Sequence, residues 1–432
     1  MKVERFFGFG IVLMVFILTF LLMGWISVAA DPPAQDHILV KFKSGADIPA
    51  IHSANRTGTI KVIPGIKVHV VSIPPGQNVQ EMVSRFKKNR NVEYAEPDYV
   101  AYADFMPNDP EINKLWALNN TGQTGGTNDA DINAPEAWEG DETHRGNSSV
   151  KIAILDTGIS NNHEDLNGKI VYQKDFTVDP PGDNPDDVYG HGTHVAGTAA
   201  AVTNNSIGVA GVGFNCSLVD IKVLGDDGRG YWSWIANGII CAATPENEGG
   251  AGAKVINMSL GGDNPSQTIE DAVNFAWDND VVVVASAGND GTTAPTAPNY
   301  PAYYDNCIAV AATDHEDKIA SFSTRGSWVD VAAPGVNIYS TTLPHRSKGK
   351  TINYGYMGGT SMSAPHVSGL AGLVWAHIPS ASNNAVRCQI QGTANPIFGT
   401  GTDWVWGRID AFEALKDPVS VHDVAVTKYT TP

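Results

Sequence analysis

Near its C-terminal end the chain reads Gly358-Gly359-Thr360-Ser361-Met362-Ser363-Ala364-Pro365-His366-Val367-Ser368-Gly369. The residues that follow Ser361 have the apolar spacing of a helix, at Ala364, Val367, Leu370, Ala371 and Val374. Pro365 is tolerated in a first helical turn, so we predict that this helix begins beside Ser361. The free N–H groups of a helix N-terminus favour negative charge, which makes Ser361 a candidate nucleophile. The alternative is a serine that only caps the helix.

Length and composition indicate an acidic protein with more than one folded unit. A chain of 432 residues exceeds a typical single domain, and only 17% of its residues are charged. The formal net charge is −18; residues 1–30 and 31–104 each carry +1, so residues 105–432 carry −20. An acidic main domain argues against nucleic-acid binding. Two disulfides or four buried thiols are both compatible with the cysteines, which are Cys216, Cys241, Cys307 and Cys388.

Residues 1–30 have the pattern of an export signal. A basic start precedes a long apolar run from Phe6, and small residues end it at Ala30, after which we predict cleavage. The apolar run is also long enough to span a bilayer, so an uncleaved membrane anchor is the alternative. In both cases we expect the rest of the chain to be exported, either secreted or anchored on the outer face.

Residues 31–104 are predicted to form a separate small α+β domain of ferredoxin-like type. Short apolar strands alternate with a helical pattern that runs from Val79 to Asn89. The predicted strands are Ile38–Phe42, Lys67–Ile73 and one that begins at Val92. The segment has no cluster of histidines, cysteines or paired acids, so we assign it no chemistry of its own.

From Val150 onward, buried strands alternate with helices. This pattern predicts an α/β domain with a doubly wound, mostly parallel sheet and helices on both faces. The predicted strands are Ile152–Leu155, Leu218–Leu224, Val255–Met258, Val281–Val284 and Cys307–Ala311. The predicted helices are His191–Val202, Tyr231–Ala243, Thr268–Asp278, Met362–Ala376 and Ser382–Gly392. We assign residues 105–418 to this domain and 419–432 to a tail that resembles the start of a further β domain.

Three more polar residues lie at predicted strand ends or helix starts. Asp156 ends the first strand, His191 opens a helix between two glycines, and Asn289 follows a buried strand. Individually they are typical of a turn aspartate, a structural histidine and a turn asparagine. His191 and His194 could instead ligate a metal, although no nearby glutamate completes a zinc motif.

Together these residues resemble the active-site motifs of the subtilisin-like serine proteases, with further likeness to thermitase-type members. The three motifs are Asp156-Thr157-Gly158, His191-Gly192-Thr193-His194-Val195-Ala196-Gly197 and Gly359-Thr360-Ser361-Met362-Ser363-Ala364-Pro365-His366. The resemblance implies a subtilisin-like fold and an endopeptidase in which His191 takes the proton of Ser361 while Asp156 orients His191. It also implies that Asn289 and the N–H of Ser361 stabilise the oxyanion.

The resemblance further implies where a substrate binds. Two segments match the edges between which an extended peptide docks as an added strand, and two residues match the first specificity pocket. The edge residues are Gly228, Gly230, Ser259, Leu260 and Gly261, and the pocket residues are Gly288 and Asn299. Asn299 stands where glycine is common in the family and should narrow the pocket. Arg229 would favour an acidic substrate residue.

Structural calcium is also implied by the resemblance. The oxygen donors of a first site are Asp109, Asp165, Asn205 and the carbonyls of Val202, Ile207 and Val209. A second cluster precedes His191, with Asp175, Asp179 and Asp183 as its expected ligands and Asp186 and Asp187 beside them. This loop is longer than its counterpart in the family, and a solvated acidic loop is the alternative.

Residues 31–104 resemble the inhibitor-type propeptide of this family, which assists folding, blocks the active site and is removed by self-cleavage, here near Tyr102–Phe105. The expected partners are protein or peptide substrates and the chain's own propeptide. We expect a monomer that binds no nucleic acid and meets a membrane only if residues 6–30 stay uncleaved. Two other classes remain open: an inactive homologue that serves as a binding module, and a metallohydrolase that uses His191 and His194.

Overall fold

The residues that this computed structural model describes are 36–99, 105–178, 181–347 and 350–416. The chain divides into two compact units, residues 1–103 and 104–432. The predicted signal or anchor in residues 1–30 and the predicted tail of residues 419–432 lie outside the described residues. Within the described ranges, no helix is both long and apolar enough to cross a membrane.

The first unit is a four-stranded antiparallel sheet with two helices that share one apolar core. Its elements are β1 His37–Phe42, α1 Ile48–Asn55, β2 Thr59–Ile63, β3 Val68–Ser72, α2 Val79–Lys87 and β4 Val92–Pro97, with strand order β2-β3-β1-β4. The predicted α+β class is confirmed. Helix α1 and strand β2 were not predicted. All five side chains of β2 are exposed, so the strand carries no alternating pattern.

The second unit is built on a seven-stranded parallel sheet with the order β11-β10-β9-β8-β5-β7-β6. Its strands are β5 Lys151–Asp156, β6 Ile170–Asp175, β7 Ser217–Lys222, β8 Val255–Met258, β9 Val282–Ser286, β10 Ile308–Thr313 and β11 Val331–Pro334. A separate antiparallel hairpin consists of β12 Ile338–Ser347 and β13 Lys350–Met357. The predicted parallel sheet is therefore confirmed.

Helices cover both faces of this sheet. They are α3 Ala134–Trp138, α4 His191–Ala200, α5 Trp232–Ala243, α6 Gln267–Asp278, α7 Thr360–His377, α8 Asn383–Gly392 and α9 Ala411–Ala414. Short 3₁₀ helices span Ile112–Lys114, Glu142–Arg145 and Glu246–Glu248. Side chains alternate across β5, so that Ile152 and Ile154 join the core under α4 and α7, while Ala153 and Leu155 join the core under α5 and α6.

The elements that sequence analysis missed in this unit lack a strong apolar pattern. Strand β6 lies at the sheet edge and buries only Asp175 fully. Strand β11 has only four residues, and the hairpin β12–β13 packs against α4 outside the main sheet. Periodicity reports burial against a core, so edge strands and hairpins leave a weak signal.

A buried ion pair joins α8 to the end of the sheet that contains β10 and β11. Oδ1 of Asp330 accepts hydrogen bonds from Nη2 of Arg387 and Nε2 of Gln391, both at 2.9 Å. Its Oδ2 accepts from the N–H of Ala309 at 2.8 Å. Asp330 and Arg387 are each 4% exposed, so the two charges depend on each other for compensation.

Replacing Arg387 by leucine should destabilise this unit by about 3 kcal/mol or more, because the carboxylate of Asp330 would stay buried without its cation. Chemical denaturation monitored by tryptophan fluorescence measures the change. Arg325→Leu is the matched control, since Arg325 lies 3.8 Å from Asp403 and is partly exposed. We expect the control to cost less than about 1 kcal/mol. Equal losses in the two variants would contradict this assignment.

Candidate active site

The carboxyl edge of the parallel sheet gathers the candidate residues. Strand β5 lies between β7 and β8, and Asp156 is its last residue. Ser259 directly follows β8, and Asn289 follows β9 after a short turn. Helices α4 and α7 begin at the same edge, with His191 as the first residue of α4 and Ser361 as the second residue of α7. Parallel topology therefore brings the four predicted residues to one edge.

The contact between Asp156 and His191 sets the geometry of this edge. Nδ1 of His191 donates to Oδ1 of Asp156 at 2.8 Å, and the N–H of Thr157 donates to the same oxygen at 2.7 Å. A Cβ at Gly192 would collide with the carbonyl of Gly158 and lie 3.0 Å from the Cβ of Asp156. Glycine at this position is what lets α4 approach the end of β5 so closely.

The electrostatics of His191 follow from this contact. Burial lowers the pKa of His191, but the carboxylates of Asp156 and Asp187 raise it by more, so the net pKa lies above 6.5. Because Nδ1 donates to Asp156, Nε2 carries the lone pair when the ring is neutral. Nε2 is therefore a base whose strength a neighbouring negative charge increases.

A chain of hydrogen bonds fixes the start of α7 to β8. The hydroxyl of Ser361 donates to the carbonyl of Ser259 at 3.2 Å, and the hydroxyl of Ser259 donates to the carbonyl of Ser361 at 2.7 Å. Asn257 donates to the hydroxyl of Ser259 at 3.0 Å and accepts from the hydroxyl of Ser368 at 2.9 Å. Asn257 and Ser368 were not among the predicted site residues. A buried asparagine inside the apolar strand Val255–Met258 was the available signal.

Asn289 lies against the first residues of α7. Its Oδ1 accepts from the N–H of Thr360 at 2.9 Å and from the hydroxyl of Thr360 at 3.1 Å. The same hydroxyl accepts from the N–H of Gly288 at 3.2 Å. With Oδ1 engaged, Nδ2 is the remaining donor of this amide, and a Cβ at Gly359 would lie 3.5 Å from it. The site thus places a side-chain donor beside the N–H groups that begin α7.

A groove of about 610 Å³ runs beside His191. Its lining includes all five residues predicted for the edges of a peptide site, which are Gly228, Gly230, Ser259, Leu260 and Gly261. Arg229 and Tyr231 also line the groove. An open groove flanked by two backbone segments has the shape that an extended chain requires.

Asn299 lies where the first specificity pocket is predicted. Its side chain is buried, and Nδ2 donates to the carbonyl of Ser286 at 3.0 Å. A Cβ at Gly261 would collide with the amide of Asn299, and a Cβ at Gly288 would lie 3.3 Å from its Cβ. Asn299 therefore occupies the space between these two glycines, which fits the predicted narrowing of the pocket.

Asp187 is a buried residue whose role sequence analysis missed, since it was placed among the acids of a calcium loop. Its Oδ1 accepts from the hydroxyl of Thr157 and from the N–H groups of Tyr189 and Gly190, at 2.8–2.9 Å. Its Oδ2 accepts from the N–H and hydroxyl of Thr193 at 3.0 and 2.6 Å. These bonds tie the start of α4 to the turn after β5.

The predicted first calcium site is gathered around two buried carboxylates. Asp109 accepts from the N–H groups of Asn204 and Asn205 at 2.8 and 3.1 Å. Asp165 accepts from Nδ2 of Asn205 at 2.9 Å and from the N–H of Val209 at 2.8 Å. Burial, together with the nearby charges of Asp109 and Glu164, raises the pKa of Asp165 to about 7.

The remaining residues predicted for this site lie in the same loop. The N–H of Val202 donates to the carbonyl of Asp165 at 2.8 Å, and the N–H of Ile207 donates to Oδ1 of Asn205 at 2.8 Å. Burial also raises the pKa of Asp109. Asp109 and Asp165 are both buried, and both bind residues of the loop 202–209. In the described part of the chain their carboxylates accept hydrogen bonds only from N–H groups, an arrangement that fits a hard cation.

The residues of the second predicted calcium cluster bind other protein groups where the structure describes them. Asp175 accepts from the N–H and hydroxyl of Thr177 at 2.8 and 2.7 Å. Asp183 is exposed and pairs with Lys174 at 2.6 Å. Asp179 lies outside the described residues, so this second site stays a prediction.

The ring of His194 binds different partners from the ring of His191, which pairs with Asp156. Its Nε2 donates to the carbonyls of Ile338 and Gly355 at 3.0 and 3.2 Å, which belong to the hairpin β12–β13. Burial lowers the pKa of His194 to about 4, so the ring stays neutral. His194 fastens α4 to the hairpin. The cysteines Cys216, Cys241 and Cys388 are thiols.

Two family models match this chain. Residues 147–415 match the subtilase family, and residues 27–98 match the fervidolysin N-terminal prodomain. The first match covers the sheet, the helices α4 to α8 and every residue of the candidate triad. The second coincides largely with the small α+β unit.

Characterised proteins and a solved structure agree with these matches. Thermitase of Thermoactinomyces vulgaris is 50% identical over 285 residues, which are 66% of this chain and 94% of that protein. The thermophilic serine proteinase of a Bacillus species (strain AK1) is 43% identical over 338 residues, covering 78% of this chain and 76% of that protein. A protease structure from Pseudoalteromonas arctica superposes with a TM-score of 0.60 and 33% identity, covering 72% of this chain and 98% of that one.

Replacing Asp187 by asparagine should lower the pKa of His191, because the charge of Asp187 contributes to its upward shift. An NMR pH titration of the His191 ring proton measures this change. Asp186→Asn is the matched control, since Asp186 is the neighbouring acid and is exposed. We expect a downward shift for Asp187→Asn and almost none for the control. Circular dichroism checks that α4 still forms, and an unshifted pKa in a folded variant would contradict the assignment.

Proposed function

Because this chain belongs to the subtilase family of serine peptidases, we propose that it is an exported endopeptidase made as a self-processing zymogen. The observation that carries the proposal is the convergence of Asp156, His191, Ser361 and Asn289 on one sheet edge beside a groove. The inactive-homologue alternative is disfavoured, since each chemical role has a residue in place. The metallohydrolase alternative is disfavoured by the bonds of His194 to the hairpin.

In the proposed reaction, Ser361 attacks the carbonyl carbon of a peptide bond while Nε2 of His191 accepts its proton. The hydroxyl of Ser361 leaves its bond to the Ser259 carbonyl and turns toward His191 when substrate binds. Asp156 holds the ring in the required tautomer and stabilises the imidazolium. His191 then protonates the leaving amine, and water hydrolyses the acyl-enzyme by the same steps in reverse.

The proposed oxyanion hole consists of Nδ2 of Asn289 and the N–H of Ser361. Thr360 holds the amide of Asn289 in place through two hydrogen bonds, so the donor is positioned before the charge develops. The N-terminus of α7 adds a favourable field for negative charge. These fixed donors stabilise the tetrahedral intermediate more than the planar substrate carbonyl.

We place the substrate in the groove between the segments of Gly228 to Gly230 and Ser259 to Gly261. Backbone pairing accepts many sequences, so specificity arises mainly in the pockets. Asn299 narrows the first pocket and favours a small side chain there. Arg229, which lines the groove, favours an acidic residue elsewhere in the peptide.

The N-terminal unit acts in this proposal as a folding aid and an intramolecular inhibitor, supported by its prodomain match. Export removes residues 1–30 or leaves them as an anchor, and Ser361 then cleaves the chain near Tyr102–Phe105. The negative net charge of residues 105–432 is consistent with a secreted monomer that does not bind nucleic acid.

Calcium is the proposed structural cation at the first site. Asp109, Asp165, Asn205 and the carbonyls of Val202, Ile207 and Val209 would hold it, because hard cations prefer carboxylate, amide and carbonyl oxygens. Bound calcium would compensate the two buried carboxylates and fasten the loop 202–209 to the loop after β5. A second ion at Asp175, Asp179 and Asp183 is part of the proposal.

Ser361→Ala should abolish both peptide hydrolysis and self-processing, with a loss of roughly 10⁶-fold in kcat. Hydrolysis of a chromogenic peptide measures the first loss, N-terminal sequencing of the exported protein measures the second, and fluorophosphonate labelling reports the reactivity of Ser361. The matched control is Ser363→Ala, since Ser363 is buried two residues away and its hydroxyl has no hydrogen-bond partner in the described part of the chain. The control should be processed and labelled like the unmodified protein. Wild-type protein that is processed but not labelled would contradict the proposed activity.

Asp165→Asn should remove most of the calcium-dependent rise in melting temperature. A ligand that binds only the folded state stabilises it, so the unmodified protein should melt at a lower temperature in a calcium chelator. In chelator the melting temperature of the variant should be close to that of the unmodified protein, because the substitution also removes a buried charge that lacks a cation. Glu164→Gln is the control, since Glu164 is the neighbouring acid and no proposed ligand. Identical calcium responses in Asp165→Asn and wild type would contradict the site.

A further inference from the structure

A second cluster of metal-ligand side chains lies away from the groove. Asp141, His144 and His377 each offer one ligand atom, and these three atoms lie within 4.8 Å of one another. Asp141 and His144 belong to the 3₁₀ helix Glu142–Arg145 and its cap, and His377 is the last residue of α7. Asp141 and His144 lie outside residues 147–415, which match the subtilase family.

The hydrogen bonds of Thr143 fix the tautomer of His377. The hydroxyl of Thr143 donates its one proton to Oδ1 of Asp141 at 2.5 Å, so it can only accept from Nδ1 of His377, which lies 2.9 Å away. Nδ1 of His377 therefore carries the proton, and Nε2 carries the lone pair. The N–H of Thr143 also donates to Oδ1 of Asp141, at 2.8 Å, which leaves Oδ2 as the available oxygen.

A hydrogen bond also fixes the tautomer of His144. Its Nδ1 lies 3.2 Å from the carbonyl of Ala137, which can only accept, so Nδ1 donates and Nε2 keeps its lone pair. A Cβ at Gly140 would collide with the His144 ring, so glycine permits this ring position. The rings of His144 and His377 are perpendicular, with centroids 4.5 Å apart. Ligating histidines commonly donate their second N–H to a carbonyl or another oxygen in this manner.

We propose that Asp141, His144 and His377 bind one divalent transition-metal ion of the zinc class. Two imidazole nitrogens with one carboxylate suit zinc and its neighbours, whereas calcium prefers oxygen donors alone. Three protein ligands leave a fourth position for water. The ion would also lie at the C-terminus of α7, where the helix dipole favours positive charge.

This site is separate from the catalytic one. Helix α7 runs from Thr360 to His377, so at about 1.5 Å per residue the ion would lie roughly 25 Å from Ser361. It would fasten the segment before β5 to the end of the helix that carries the nucleophile. Its expected effect is therefore on stability, with peptide hydrolysis unchanged.

The test is a calorimetric titration of zinc into the full chain carrying Ser361→Ala, which prevents self-digestion, purified without a histidine tag and in excess calcium. We expect one zinc ion per chain, a higher melting temperature, and an affinity more than about tenfold weaker in His377→Gln. Thr143→Val should weaken binding by about tenfold, because it releases both Asp141 and His377. Cobalt should give the intense visible absorption of a four-coordinate ion in the unmodified cluster.

His345→Gln is the matched control, since His345 is exposed and lies outside the cluster. It should bind zinc like its parent. No zinc binding to the parent, or equal affinities in His377→Gln and His345→Gln, would overturn the proposal. A weak, octahedral cobalt spectrum that His377→Gln leaves unchanged would do the same.

Discussion

The hydrogen bond between Asp156 and His191 is the contact on which the candidate site depends. It requires a buried carboxylate at the end of β5 and a helix that begins directly above it. Such a charge is costly in a core unless donors surround it. The chain supplies Thr157 and His191 as donors and glycine at position 192 as space. These contacts fix the positions of β5, the turn after it and α4 relative to one another.

Buried polar groups also fix the position of Ser361. Asn257 lies in the apolar layer of the sheet and uses both ends of its amide, one toward Ser259 and one toward Ser368. A fully satisfied polar chain in a core is rigid, because any shift leaves a buried group without a partner. The position of Ser361 is therefore determined from β8 as well as from its own helix.

Most residues of the candidate site could be predicted because they lie where strands end and helices begin. Asp156, His191 and Ser361 could be placed by local patterns, and parallel topology then brought them together. Asn257 and Asp187 could not be interpreted that way, since their partners are fixed only by the fold.

Edge strand β6 and exposed strand β2 were missed because their side chains make few contacts with the core. The proposed calcium ligands could be named from the resemblance, whereas the burial of Asp109 and Asp165 came from the structure.

Helix α7 is buried along almost its whole length, from Thr360 to Ala376. Amide groups in such an element exchange with solvent only when the whole domain opens, because no partial opening exposes them. The segment that carries Ser361 is therefore among the last to become accessible to another protease molecule. In a population of molecules that digest one another, we expect cleavage to start in surface loops, and loss of Ser361 to coincide with loss of the fold.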